Sequence, residues 1–168
     1  MTSSAPLQRL VVVCSLVGTL AFVLPAAAQT TPTVPGAPGP TLEEARKALD
    51  AAVAAAKKSG ATLSCAVVDS RGDLIALQRM DNARFITTDI ARGKALAAAI
   101  FGQPSSSLER IANTSWFQNL NTSAQGRLYP AQGGLPIVRD QQTYGAIACS
   151  GATGKLDEES ARAGLAMF

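Results

Sequence analysis

Cys65-Ala66-Val67-Val68-Asp69-Ser70-Arg71-Gly72-Asp73-Leu74-Ile75-Ala76-Leu77-Gln78-Arg79-Met80-Asp81 reads as two strands joined by a tight turn and ending in a charged cluster. Cys65 to Val68 is unbroken apolar sequence, as a central strand covered on both faces requires. Ser70-Arg71-Gly72-Asp73 has turn chemistry, with glycine available for a positive φ. Leu74 to Met80 sets Leu74, Ala76 and Gln78 against Ile75, Leu77 and Arg79, which predicts a returning strand with one better-buried face.

Working outward, Thr41-Leu42-Glu43-Glu44 is a capping box ahead of an alanine-rich stretch. Leu42, Ala45, Leu49, Ala52, Val53 and Ala56 share one face, and Gly60 is a stop, so the first helix is predicted over 41–59. Downstream, Thr87-Thr88-Asp89 opens a second alanine-rich helix over 88–102, ended by Gly102 and Pro104. Ser106 and Glu109 form another capping box for a short helix over 106–113. Residues 114–126 are mostly polar and are expected to be a long functional loop. Strands are expected over 127–131, 135–139 and 143–149, with Asp140-Gln141-Gln142 turning the last two into a hairpin. Asp157-Glu158-Glu159-Ser160 is expected to cap a final helix that runs through Leu165. Strands grouped into hairpins predict an α+β domain, an antiparallel sheet with helices packed on it.

The 168 residues divide unequally. Residues 1–28 read as a signal peptide: Arg9 in the basic region, a largely apolar run from Leu10 to Leu24, and Ala26-Ala27-Ala28 for cleavage after Ala28. That expectation places the protein in the periplasm or outside the cell, with no membrane span after processing. Residues 29–40 hold four prolines and two glycines and read as a flexible linker. Residues 41–168 are left as one folded domain. Losing Arg9 lowers the formal charge from +3 to +2. Charges are scattered and aromatic residues sparse, which argues against nucleic-acid binding. The chain contains no histidine, which excludes histidine acid–base catalysis and histidine ligation of a metal or haem iron. Cys65 and Cys149 both fall in predicted strands. They fit either a disulfide in an oxidising compartment or two buried thiols.

Five stretches taken in order resemble the GlcG/HbpS family, the haem-degrading or DUF336-type domain also found at the C-terminus of some PduO proteins. They are Ala66-Val67-Val68-Asp69 with Gly72; Arg79-Met80-Asp81 with Ala83; Ile90-Ala91 with Lys94-Ala95; Gly133-Gly134 with Pro136-Ile137; and Gly145-Ala146-Ile147 with Ser150-Gly151 and Asp157. The resemblance spans nearly all of residues 41–168. It implies a profilin-like fold with a five-stranded antiparallel sheet flanked by helices. In that topology the first and last strands are neighbours, which favours pairing of Cys65 with Cys149. It further implies homo-oligomers and, in some secreted members, haem as the cofactor. The chain departs from the family in lacking histidine and in its Asp140-Gln141-Gln142 turn.

The residues that can carry ligand chemistry are Arg79, Asp81, Lys94, Gly133, Gly134, Pro136 and Tyr144. Arg79 and Asp81 sit two apart at a strand end, and Lys94 lies on the alanine-rich face of the second helix. Together they read either as an anion site, with Arg79 clamping a haem propionate or small carboxylate, or as a structural network tying helix to sheet. Gly133-Gly134-Leu135-Pro136 fits a pocket wall of bare backbone or a bulge. For haem iron the available ligands are Met80, Tyr129, Tyr144, a cysteine or a threonine hydroxyl. Gly-x-Ser-x-Gly is not satisfied around Ser150, and no histidine base exists. The expectation is a small-molecule-binding protein, haem first, rather than a catalyst. The alternative is an accessory protein or enzyme acting on a small organic acid of glycolate-type metabolism through a cationic pocket.

Overall fold

The computed structural model describes residues 38–168. The expected signal peptide and most of the linker lie outside the described residues. Four strands form one antiparallel sheet, with helices on both faces. In chain order the elements are α1 (Leu42–Lys58), β1 (Ser64–Asp69), β2 (Leu74–Arg79), α2 (Thr87–Phe101), a 3-10 helix (Ser105–Ile111), α3 (Ser115–Ser123), β3 (Gly134–Arg139), β4 (Gln142–Ser150) and α4 (Gly154–Leu165). No described helix is long and apolar enough to cross a membrane.

The strand order is β2-β1-β4-β3, so the apolar strand β1 is central and pairs with both β2 and β4. Cys65 stands opposite Cys149 in the β1–β4 register, and the two are joined by a disulfide. Between Arg139 and Gln142 the chain turns in two residues, Asp140 and Gln141, both at positive φ. That is the type I′ geometry whose twist matches a hairpin.

One face of the sheet is covered by α1 and α4. Ala45, Ala48, Leu49 and Ala52 pack there against Leu63, Cys65, Val67, Ile147 and Cys149. The other face is covered by α2, where Ala95, Ala98 and Ala99 meet Val68, Ala146 and Ala148. Small residues on both sides bring the α2 backbone close to the sheet. α1 begins with the expected capping box: Glu44 N–H donates to Thr41 Oγ1 at 3.2 Å, and Thr41 N–H donates to Glu44 Oε2 at 2.7 Å.

Four expectations need correction. The capping box expected of Ser106 and Glu109 does not form: that helix has no side-chain cap, and Glu109 instead accepts from Gln132 N–H. The sheet has four strands rather than five, because residues 127–131 do not pair with it. Their amides are taken elsewhere: Leu128 N–H donates to Asn121 Oδ1 and Tyr129 N–H to the Gly93 carbonyl. Pro130 has no amide to offer a strand. The long loop expected over 114–126 is mostly helix α3, capped by Thr114, whose hydroxyl accepts from Phe117 N–H. Phe117 is buried with Leu96, Leu108 and Leu128, and this burial outweighs the polar composition. Finally, Asp157 does not begin the last helix. Thr153 does, its hydroxyl accepting from Leu156 N–H.

Candidate functional site

Close packing of α2 carries Lys94 into the interior, where the residue is 4% exposed. A buried ammonium is costly unless paired and hydrogen-bonded. Lys94 Nζ lies 2.9 Å from Asp157 Oδ2 and donates to the Cys149 carbonyl at 3.2 Å. The other oxygen of Asp157 accepts from Ala152 N–H at 2.9 Å. Each charge thus meets its opposite and a backbone dipole.

The double glycine is built around this pair. Gly133 has φ +130, and a Cβ there would stand 2.7 Å from the Cys149 carbonyl and 2.9 Å from Lys94 Nζ. A Cβ on Gly134 would stand 2.6 Å from the Lys94 carbonyl. Gly134 N–H donates to Ser105 Oγ at 2.9 Å, which fixes the start of β3. Pro136 follows opposite Ala146, tolerated because β3 is an edge strand. Lys94, Gly133 and Gly134 therefore converge, with Pro136 next along the strand.

Arg79 and Asp81 do not join them. They line a shallow hollow of about 280 Å³ with Val53, Lys57 and Met80. Arg79 ends β2, the edge opposite β3, so the single Arg79–Asp81–Lys94 network admitted by the sequence does not form. Tyr144 is also elsewhere. Arg139 lies 4.2 Å over its ring and bonds Glu44 at 2.7 Å. That hydrogen bond, seconded by those from Thr41, holds the Glu44 carboxyl down to about 2.

Two adjoining clefts open along α2. The first, about 420 Å³, has Ile86, Ile90, Gly93 and Leu96 on its apolar side and Asp89, Arg92, Arg127 and Tyr129 around it. Gly93 is small for a reason: a Cβ there would meet the Arg127 carbonyl at 2.8 Å. The second, about 430 Å³, shares Ile86, Ile90 and Tyr129 but is polar, lined by Arg84, Thr87, Lys94, Glu109, Ser150 and Asp157 among others. Tyr129, 43% exposed, stands where the two meet. Of the residues named above as possible iron ligands by type, it is the tyrosine that lines the apolar cleft. Among the described residues, no three His, Cys, Asp or Glu side chains cluster as a metal site.

The sequence reading missed Arg92, Arg127 and Ser150 as cleft residues, and the pairing role of Asp157. Arg92 carried a faint signal, since it lies four residues before Leu96 on the same helix, a spacing that puts the two on one face. Arg127 carried none, because its position depends on a segment read as a strand.

Residues 41–166 match the model of a family described as haem-degrading, HbpS-like proteins. An uncharacterised 15.0 kDa protein from the dhaT–dhaS intergenic region of Citrobacter freundii is 30% identical over 129 residues, covering 76% of this chain and 91% of that one. Protein GlcG of Escherichia coli K12 is 33% identical over 95 residues, 56% of this chain and 69% of GlcG. Among solved structures, a double mutant of Streptomyces reticuli HbpS superposes with a TM-score of 0.70 at 34% identity, covering 86% of this chain and 99% of that one.

Proposed function

This chain belongs to the HbpS-like family of haem-degrading proteins, and on that premise we propose that it is a haem-binding protein whose haem lies in the apolar cleft along α2. The observation that carries this reading is the cleft's composition. Its volume falls in the small-molecule range of roughly 300–1,000 Å³. An apolar floor of Ile86, Ile90 and Leu96 suits the macrocycle, and Arg92 and Arg127 suit two carboxylates. Tyr129 and Asp89 both line this cleft with an oxygen donor, and of the two the tyrosine phenolate is a ligand type that haem iron is known to take. The haem would supply the iron chemistry; the chain would supply the apolar floor, the cations and the phenolate.

We place the protein in the periplasm or outside the cell. The expected signal peptide and the Cys65–Cys149 disulfide support this, since such bonds persist in oxidising compartments. Self-association is part of the same proposal, supported by Phe85 and Trp116, which are 77% and 60% exposed. The organic-acid alternative would need another site, because Arg79 and Lys94 do not share one.

Haemin titration followed by absorbance tests the haem reading. A saturable Soret band at one haem per chain is expected. A linear, unsaturated response would overturn it.

A further inference from the structure

The polar cleft beside Lys94 and Asp157 is separate in character from the apolar one, and its hydrogen-bonding capacity is unevenly used. Each Asp157 oxygen has a partner, Lys94 on one and Ala152 N–H on the other. Glu109 accepts from Gln132 N–H. The donors are less committed. Lys94 has three N–H bonds, and two are directed to Asp157 and Cys149. Arg84 lies at the exposed rim and makes no ion pair among the described residues.

Ser150 gives the independent observation. It is 5% exposed and lines the cleft. Its β1 partner is Ser64, whose hydroxyl is 2.8 Å from that of Thr87 on α2, so Ser150 faces the same side. The Ser150 hydroxyl has no hydrogen-bond partner within the described chain. Every fully buried side-chain nitrogen or oxygen among the described residues does have one. The Ser150 oxygen therefore meets the cleft itself.

Gly154, first residue of the twelve-residue helix α4, lines the same space. Thr153 caps Leu156 N–H, which leaves the Gly154 and Lys155 amides of the first turn without an acceptor inside the helix. The positive end of the helix dipole adds to them. From these donors we infer that the polar cleft is a second site, which takes a small carboxylate. Its oxygens are received by Ser150 Oγ, the Gly154 end of α4 and Arg84, with the Lys94–Asp157 pair as a neutral floor. A neutral amide of the same shape would lack the charge that the helix end and Arg84 attract.

The test is an NMR titration of the ¹⁵N-labelled protein with acetate, and with acetamide as the neutral match. Saturable shifts of the Gly151–Lys155 amides are expected with acetate and not with acetamide. Ser150→Ala removes a hydroxyl with no partner in the fold, so the variant keeps its structure. Together with Arg84→Ala it should weaken acetate by about tenfold each, the scale of a hydrogen bond to a charged group. Arg92→Ala, on the other cleft, should leave acetate binding unchanged. Equal response to acetamide, no saturation, or wild-type affinity in both variants would overturn the proposal. Haemin binding is read separately, so either site can fail without the other.

Discussion

Lys94 and Asp157, 63 residues apart in the chain, meet at 2.9 Å with side chains only 4% and 3% exposed. The pair joins α2 to α4 across the sheet, and Lys94 also holds the carbonyl of a disulfide cysteine. Two charges buried this deeply are stabilising only as a pair. Asp157→Ala or Lys94→Met alone should destabilise the fold by about 3–5 kcal/mol, because each strands the other charge. Lys94→Met with Asp157→Leu should recover most of that loss. Urea unfolding of the three variants measures it, and a double variant as unstable as the singles would show that the pair's charges are not the cause.

The disulfide lies next to that carbonyl and closes a loop across an 84-residue separation. Chain-entropy reasoning gives a loop of this length a stabilisation of up to about 4.5 kcal/mol. Unfolding midpoints with and without a reductant should therefore separate widely. Thiol titration gives a sharper check. The denatured, unreduced full chain, whose third cysteine is Cys14, should release one thiol, and three would mean that the bond is absent.

Gly133 shows which glycines the site depends on. Its φ of +130 disfavours any side chain, and a Cβ would press on the Cys149 carbonyl, Lys94 Nζ and Asp157 at 2.7–3.0 Å. Gly133→Ala should cost about 1–3 kcal/mol from backbone strain alone, with the clash in addition. At Gly126, also at positive φ, a Cβ meets nothing within 4 Å, so Gly126→Ala should cost less, about 1 kcal/mol. Equal losses in thermal or urea unfolding would show that the crowding around Lys94 is not what requires glycine.

The acid limb of stability has a nameable contributor. The hydrogen bond from Arg139, with those from Thr41, lowers the Glu44 carboxyl from 4.5 to about 2. A carboxyl lowered in the folded state contributes its stabilisation in full above its ordinary value, and loses it as the pH falls toward the lowered one. Glu44→Gln should therefore be less stable than the parent near neutrality, and the gap should narrow as the pH falls from about 4.5 to about 2. Melting curves across that interval decide it; a gap constant with pH would assign the effect to something other than Glu44 ionisation.

Much of the fold is legible in local sequence. The Cys65–Val68 apolar run gives the central strand, Thr41 and Glu44 give the first cap, and the alanines after Ile90 give a helix packed tightly on the sheet. The losses come where a residue's partner is distant. Residues 127–131 have strand-like composition, yet their amides are taken by Asn121 and Gly93. Asp157 sits in an acidic run that fits a helix start, and only Lys94, far away in the chain, shows its use. Arg79, Asp81 and Lys94 stood out together, but Arg79 ends the edge strand β2, whereas Lys94 on α2 reaches the Cys149 carbonyl of β4. Pairing in sequence is local; strand order is not.

That separation makes the haem reading discriminating. If haem lies against Ile86, Ile90 and Leu96, its carboxylates fall to Arg92 and Arg127, which flank that floor. Arg92→Ala and Arg127→Ala should each weaken haemin by about tenfold, as loss of one charge-assisted contact does. Tyr129→Phe keeps the ring and removes the phenolate, so affinity should fall modestly while the ferric visible bands lose tyrosinate character. Arg79→Ala, in the hollow beside α1, should bind haemin as the parent does. Weakening by Arg79→Ala with no effect from Arg92→Ala or Arg127→Ala would move the haem to the opposite edge of the sheet. Unchanged visible bands in Tyr129→Phe would instead leave the haem in the cleft and remove Tyr129 as its iron ligand.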